Sequence, residues 1–341
     1  MLSQHPHPPV SRLSPKSPSH FTIVVQFLAI LVSFMLASAV ALAQPVTAMP
    51  QAQGKLDTTP AAVTNTPPVP ASTRPAPTPA IETYSTELPE DGRWTLEFHP
   101  GIWYAGLSGD IKLPRSASGA SSTIDLVDDL DLDEPKISPF GELNLAKGNW
   151  TIALRGFNYG NDGIATLSSS GSLGDVDFTP GSTLRSSFDT TVIEIEGGYR
   201  LYGRQISPMT GGGYRLKSDI RALFGVRLFN VDYSVTNTSL GAGGILTDSA
   251  DDFAAHPLIG GKLNFDIYED FSFTFQITAG ALSESYGFDI LVGGQWRPVK
   301  NVGVQIGYRA LFFGMTSGSD NQEFEFEGSL QGLFTGITFN F

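Results

Sequence analysis

The stretch Leu330-Gln331-Gly332-Leu333-Phe334-Thr335-Gly336-Ile337-Thr338-Phe339-Asn340-Phe341 closes a chain of 341 residues. Leu333, Thr335, Ile337, Phe339 and Phe341 form one mostly apolar set, and Phe334, Gly336, Thr338 and Asn340 between them are mixed small, polar and aromatic. Successive side chains of a strand point to opposite faces, so this period of two predicts a strand with one face toward lipid and the other toward a narrow lumen. A single alternating run also suits a soluble sandwich, so the fold turns on whether the pattern repeats.

It repeats upstream. The spacing predicts ten strands, at 93–106, 137–146, 149–159, 187–202, 217–235, 256–267, 271–283, 285–297, 302–314 and 325–341. Trp94, Leu96, Phe98, Ile102 and Tyr104 share a face opposite Glu97, His99 and Gly101; Phe271, Phe273, Phe275 and Ile277 make another lipid face. In the fifth strand Ile220, Ala222, Phe224, Val226 and Leu228 point outward and Arg221 and Arg227 inward, with a register slip expected near Asn230. Connections at 107–136, 160–186, 236–255 and 315–324 are long and fall on one side, whereas those near 147, 268 and 299 are short. That asymmetry, with both chain ends on the short-turn side, is the pattern of a membrane barrel. Trp94, Trp150, Tyr202, Tyr268, Trp296 and Phe341 fall at one set of strand ends, and Tyr104, Tyr233, Tyr286 and Phe312 near the other, as two interfacial girdles would. The expected fold is therefore all-β, an antiparallel up-and-down transmembrane β-barrel of ten strands. Eight or twelve would follow if the 137–159 hairpin or the 283–286 break is misread.

Arg12 and Lys16 precede an uncharged apolar run, 21–42, that ends in Ala41-Leu42-Ala43. This reads as a signal peptide over 1–43, cleaved before Gln44. An uncleaved anchor is the alternative, set aside because the small-residue site is well formed and a Pro-rich segment follows. Residues 44–91 are rich in Pro, Ala and Thr and are expected to be a disordered periplasmic linker before the barrel of 92–341. There is no cysteine, so disulfides and thiolate metal sites are excluded. The formal charge is −13; without Arg12 and Lys16 the 19 remaining bases against 34 acids give −15. Such a chain is a poor partner for nucleic acid. The expected location is the bacterial outer membrane, with lipids and lipopolysaccharide as neighbours, and no cofactor is expected.

The inward positions carry Glu97, Glu142, Arg155, Glu194, Glu196, Arg200, Arg221, Arg227, Lys262, Asp266, Asp289, Arg297 and Arg309. Neighbouring strands tend to alternate in sign, and buried charges must be paired, so a polar network filling the lumen is preferred to a conducting path. Catalysis has little to work with, since only His99 and His256 follow the signal peptide. His256 is read as opening the sixth strand near its outer end, close to Asp248, Ser249, Asp251 and Asp252, the ingredients of a hydrolase without a recognisable spacing. No enzyme activity is expected. In the first outer loop Asp129, Asp131 and Asp133 imitate the start of a calcium loop, but Glu134 stands where the turn glycine belongs and Phe140 where the bidentate acid belongs, so no metal site is assigned.

The same loop, Ile124-Asp125-Leu126-Val127-Asp128-Asp129-Leu130-Asp131-Leu132-Asp133, followed by Gly141-Glu142-Leu143-Asn144-Leu145 and Gly174-Asp175-Val176-Asp177-Phe178, resembles a group of uncharacterised bacterial outer-membrane barrels. They carry an Asp-Leu-x-x-Asp-Leu-Gly-Leu-Asp-like loop between their first two strands, and Asp131 replaces the usual Gly here. The alternating C-terminal segment ending on Phe339 and Phe341 likewise looks like the signal read by the barrel assembly machinery. The resemblance implies fold and location and brings no activity. The functional expectation is a structural or surface-binding barrel with a plugged lumen. The alternatives are a narrow channel for small solutes or ions and, further off, a barrel hydrolase centred on His256.

Overall fold

The computed structural model describes residues 92–341 apart from 117–118, 209–213, 240–245, 269 and 320–321; the signal-peptide and linker readings lie outside these residues. Ten long strands form the wall: β1 (Thr95–Lys112), β3 (Lys136–Lys147), β4 (Trp150–Thr166), β7 (Thr183–Pro208), β8 (Tyr214–Asn237), β9 (Leu246–Ile267), β10 (Phe271–Leu282), β11 (Ser285–Val299), β12 (Val302–Ser317) and β13 (Phe324–Asn340). Three short strands, β2 (Ile124–Asp125), β5 (Gly171–Leu173) and β6 (Val176–Phe178), lie in the first two outer connections. Each wall strand pairs antiparallel with its neighbour in sequence, and β1 pairs with β13 from Glu97 opposite Asn340 to Lys112 opposite Glu325. The ring is thereby closed, which leaves no strand edge to satisfy in lipid. Phe341 exchanges two backbone hydrogen bonds with Leu96, of 2.8 and 3.2 Å, and so completes the seam. The fold is an antiparallel up-and-down transmembrane barrel of ten strands.

Facing follows the period of two, but its polarity inverts partway up the wall. On the lower part of β7, Ile193, Ile195, Tyr199 and Leu201 are exposed and Glu194 and Glu196 are buried. Higher on the same strand the exposed positions are Arg185, Asp189 and Thr191, and the buried ones include Leu184, Phe188 and Val192. From Ile193 to Leu201 the outward apolar run rises about 20 Å at ~3.3 Å per residue and a tilt near 40°, close to the ~25 Å apolar band of such barrels. Above that band the outer surface meets water and must be polar, so the inner face becomes the only place to bury apolar groups.

Four expectations are corrected, most of them by this inversion. The slip expected near Asn230 is absent, because β8 pairs with β9 without interruption from Leu216 to Asn237. Phe229, Val231, Tyr233 and Val235 keep the inward parity of Arg227 while the polarity of that face changes, which in sequence looks like a lost residue. The register shift lies instead between Arg200 and Tyr202 on β7. Tyr233 is no girdle residue: it is buried and its hydroxyl donates to Ser186 Oγ at 3.0 Å. The connection expected at 203–216 is mostly strand, since β7 and β8 stay paired as far as Pro208 and Tyr214. Likewise β9 begins at Leu246, ten residues earlier than expected. The exposed rings Trp94, Trp150, Tyr268, Trp296 and Phe341 do mark the lower rim.

The upper barrel is filled by a continuous apolar core. Trp103, Phe157, Phe188, Phe229, Phe313 and Phe326 come from the wall. Leu113, Ile124, Leu126, Leu130 and Leu132 come from the β1–β3 connection, and Leu173, Val176 and Phe178 from the β5–β6 hairpin. The first loop therefore alternates leucines turned into the mouth with aspartates left outside. Asp131 adopts φ 57°, a left-handed conformation that a glycine would take without strain. The two connections are tied together by Ser122 N to Ser172 O at 2.7 Å and by Arg115 Nη1 to Gly174 O at 2.9 Å.

Candidate functional site

Below the apolar core the inward side chains form a charged layer. Glu142, Arg155, Glu194, Arg227 and His256 are direct cross-strand partners on β3, β4, β7, β8 and β9. Arg155 Nε donates to Glu142 Oε2 at 2.9 Å and its Nη1 to Glu194 Oε2 at 2.8 Å. Arg227 Nε reaches Glu194 Oε1 at 2.8 Å, and Arg309 Nη2 reaches the same oxygen at 2.8 Å from β12 across the lumen. Asp289 on β11 accepts from Arg227 Nη2 at 3.2 Å and from Arg309 Nη2 at 2.6 Å. Three guanidinium groups thus meet three carboxylates, a charge-balanced cluster in which Arg227 is 0% and Glu194 1% exposed. The guanidinium of Arg309 also lies over the rings of Phe157 and Trp103, at 5.0 and 5.4 Å, which joins the ionic layer to the apolar core.

His256 belongs to this layer and not to the rim. It sits midway along β9, 1% exposed, with Nδ1 3.2 Å from the Pro257 carbonyl oxygen and its ring 5.4 Å from that of Phe229. Ser249 and Asp251 are on the outward face of the same strand, and Asp248 Oδ2 accepts from Asp175 N at 2.7 Å. Several residues at ~3.3 Å rise separate them from the ring, so the grouping expected around His256 does not assemble. His99 is held by Glu97 Oε2 at 3.3 Å, Gln305 Oε1 at 3.4 Å and Thr338 Oγ1 at 3.2 Å. Asp129 accepts from Asp125 N at 3.3 Å within the first loop, and among the described residues no group of three or more His, Asp or Glu is arranged to hold a metal ion.

Beneath the charged layer the lumen opens into a cavity of about 740 Å³ that reaches the lower rim at Lys147, Lys300, Asn301 and Phe341. Its ceiling is made by Arg155, Arg309, Trp103 and Phe334. Of the inward residues expected from sequence, Glu97, Glu142, Arg155, Glu196, Arg200, Arg221, Lys262, Asp266, Arg297 and Arg309 line it, whereas Glu194, Arg227 and Asp289 lie in the seal above. Asp219 was not among the expected residues, yet it accepts from Arg221 Nη2 at 2.8 Å and Asn264 Nδ2 at 2.8 Å. Its parity with Arg221 could have revealed it. Gln276, bonded to Glu196 Oε2 at 3.0 Å, carries no charge, so a pattern of alternating charges does not mark it.

A closed ring with an apolar outer band, girdled at its lower rim and ionic within, defines a membrane β-barrel. No protein-family model and no curated protein matches the sequence. Among solved structures the chain is similar to the outer membrane protease OmpT from Escherichia coli, at 8% identity and a TM-score of 0.43 over 76% of this chain and 98% of that one. It is also similar to Neisserial surface protein A, at 15% identity and TM-score 0.28 over 72% and 97%, and to Ail of Yersinia pestis, at 12% and 0.29 over 72% and 99%. At such values these likenesses say nothing about activity.

Proposed function

We propose that this chain is an outer-membrane barrel with a sealed lumen, acting as a structural or surface-presenting protein and neither as an enzyme nor as an open channel. The observation that carries the reading is the double seal, a neutral ionic layer of three arginines and three carboxylates roofed by an apolar core to which two outer connections contribute. Ions crossing it would have to displace both fully buried arginine pairs and packed aromatic rings, including Phe229 and Phe313 stacked at 4.9 Å. Export by residues 1–43, assembly through Phe339 and Phe341, and contact with lipopolysaccharide belong to the same reading. They are supported by the apolar run ahead of Gln44 and by the closing strand. Planar-bilayer recording tests it: the wild-type barrel should insert without steady openings. Steady ohmic openings whose conductance changes in Arg227→Ala or Glu194→Ala would overturn it in favour of a small-solute channel.

A further inference from the structure

The cavity below the seal has the opposite charge to the rest of the molecule. It is lined by ten Lys or Arg and five Asp or Glu, in a chain whose formal charge is −13. The excess is not spread evenly. Arg200 on β7 is directly opposite Arg221 on β8, and Arg221 is directly opposite Lys262 on β9. Like charges directly opposite on neighbouring strands destabilise a sheet, and here three stand in one row. Adjacent strands are ~4.8 Å apart, so the row spans about 10 Å of wall.

Little counter-charge is in direct contact with the row, although Glu97, Glu142 and Glu196 line the same cavity. Arg221 and Arg200 share one carboxylate, Asp219, at 2.8 and 3.5 Å. Lys262 has no carboxylate within 4 Å among the described residues, and it interacts with Glu97, Glu142 and Glu196 only at longer range. The next inward position along the row is Gln276, an uncharged group already bonded to Glu196. A structural network that only had to fill space would be expected to alternate sign here, as the layer above does from Glu142 to Arg155 to Glu194 to Arg227. The volume, about 740 Å³, is that of a small-molecule site.

We propose that this cavity binds a small oxyanionic ligand, a compound bearing phosphate or carboxylate groups, across Arg200, Arg221 and Lys262. The anion supplies the missing counter-charge: Lys262 offers a point charge, while the guanidinium groups of Arg200 and Arg221 offer forked donors suited to planar or tetrahedral oxyanions. An extended ligand with two charged groups matches the row better than a single one, since one oxyanion reaches two of the three cations. The proposal goes beyond the sealed-barrel reading. It relies on that reading only for the compartment from which the ligand enters, the periplasm, because a barrel that leaked would keep the same cationic row.

The test is calorimetric titration of the full chain, refolded in detergent micelles, with sodium pyrophosphate and separately with sodium citrate. Folding of every variant is checked first by strand circular dichroism. The expected result is saturable binding of at least one of the two that weakens steeply with added salt. Lys262→Gln should weaken it about tenfold, the loss of one charge contact worth ~1.4 kcal/mol. Lys136→Gln, at the opposite end of the barrel, should leave it unchanged. Since Arg221 is tied to Asp219 its replacement risks misfolding, and Lys262 is therefore the deciding position. Binding of pyrophosphate alone or citrate alone would identify the oxyanion class. Absence of saturable binding of both, or affinity unaltered by Lys262→Gln in a folded barrel, would overturn the proposal.

Discussion

Replacing Glu194 by Gln puts the seal itself under test. The carboxylate accepts from Arg155, Arg227 and Arg309, each at 2.8 Å, and is 1% exposed. The amide keeps the shape but loses the charge and turns an NH2 toward arginine donors, so at least one donor loses its acceptor. Charge-assisted hydrogen bonds contribute about 1.5–3 kcal/mol each, and breaking a buried pair by removing one partner costs about 3–5 kcal/mol. The cluster also passes from three cations against three anions to three against two. We expect Glu194→Gln to lower the unfolding free energy by about 4 kcal/mol. Arg227→Met should destabilise as well, because it strands part of Glu194 and Asp289. The double variant restores neutrality and should lose less than the sum of the single changes by about 1–3 kcal/mol. The assay is reversible urea unfolding of barrels folded into lipid vesicles, followed by tryptophan fluorescence. A Glu194→Gln barrel within about 0.5 kcal/mol of wild type, the range of a surface substitution, would refute the account of a balanced, water-excluding layer.

Three other expectations follow from different parts of the wall. Phe275 is outward on β10 between Leu263 and Val292 of the neighbouring strands, in the middle of an apolar run, so Phe275→Arg should cost about 2–4 kcal/mol in the same unfolding assay; a neutral result would contradict the assigned facing. Asp131 holds φ 57°, so Asp131→Gly should be neutral or stabilising by up to ~1 kcal/mol and Asp131→Val destabilising; the reverse order of thermal midpoints would show that the turn does not need a left-handed residue. Above the apolar band, Asp189 faces Asp232 across the ladder, and partial burial together with the charges of Asp162 and Asp232 raises its carboxyl above the usual range. An acid whose folded value is raised favours the folded state only while protonated, so this contribution is retained at low pH and lost as pH climbs through the raised value. Asp189→Asn should therefore be more stable than wild type at neutral pH, with the gap closing below the ordinary carboxylate range; a gap independent of pH would exclude the like-charge explanation.

Much of the fold could be read from residues because alternation reports facing directly. Leu333, Ile337 and Phe339 outward and Phe334, Thr338 and Asn340 inward require nothing but the period of two, and the structure places them so. The cross-strand signs of Glu142, Arg155, Glu194 and Arg227 were also anticipated, since adjacent buried charges need opposite partners. Alternation misleads where the solvent outside the wall changes. Around Asn230 the backbone keeps its register, but the hydrophobic face passes from outside to inside as the strand leaves the apolar band, and in one dimension that is indistinguishable from a slip. His256 was misplaced for the same reason: with the continuation of β9 into water unrecognised, a mid-strand residue looked like a rim residue.

The existence of the ten wall strands, their facing within the apolar band and the closing role of the terminal segment are legible along the chain, because they depend on neighbours in sequence. Height in the barrel and the partners met there come from the three-dimensional packing. It set which inward charges share a level, so that Glu194 joins the seal while Arg200, Arg221 and Lys262 line up in the cavity beneath. It also turned the leucines of the first loop into the roof of the barrel. The physical reason is that a period of two says which way a side chain points, whereas the stagger of strands around a closed ring, which alternation does not encode, decides what it meets there.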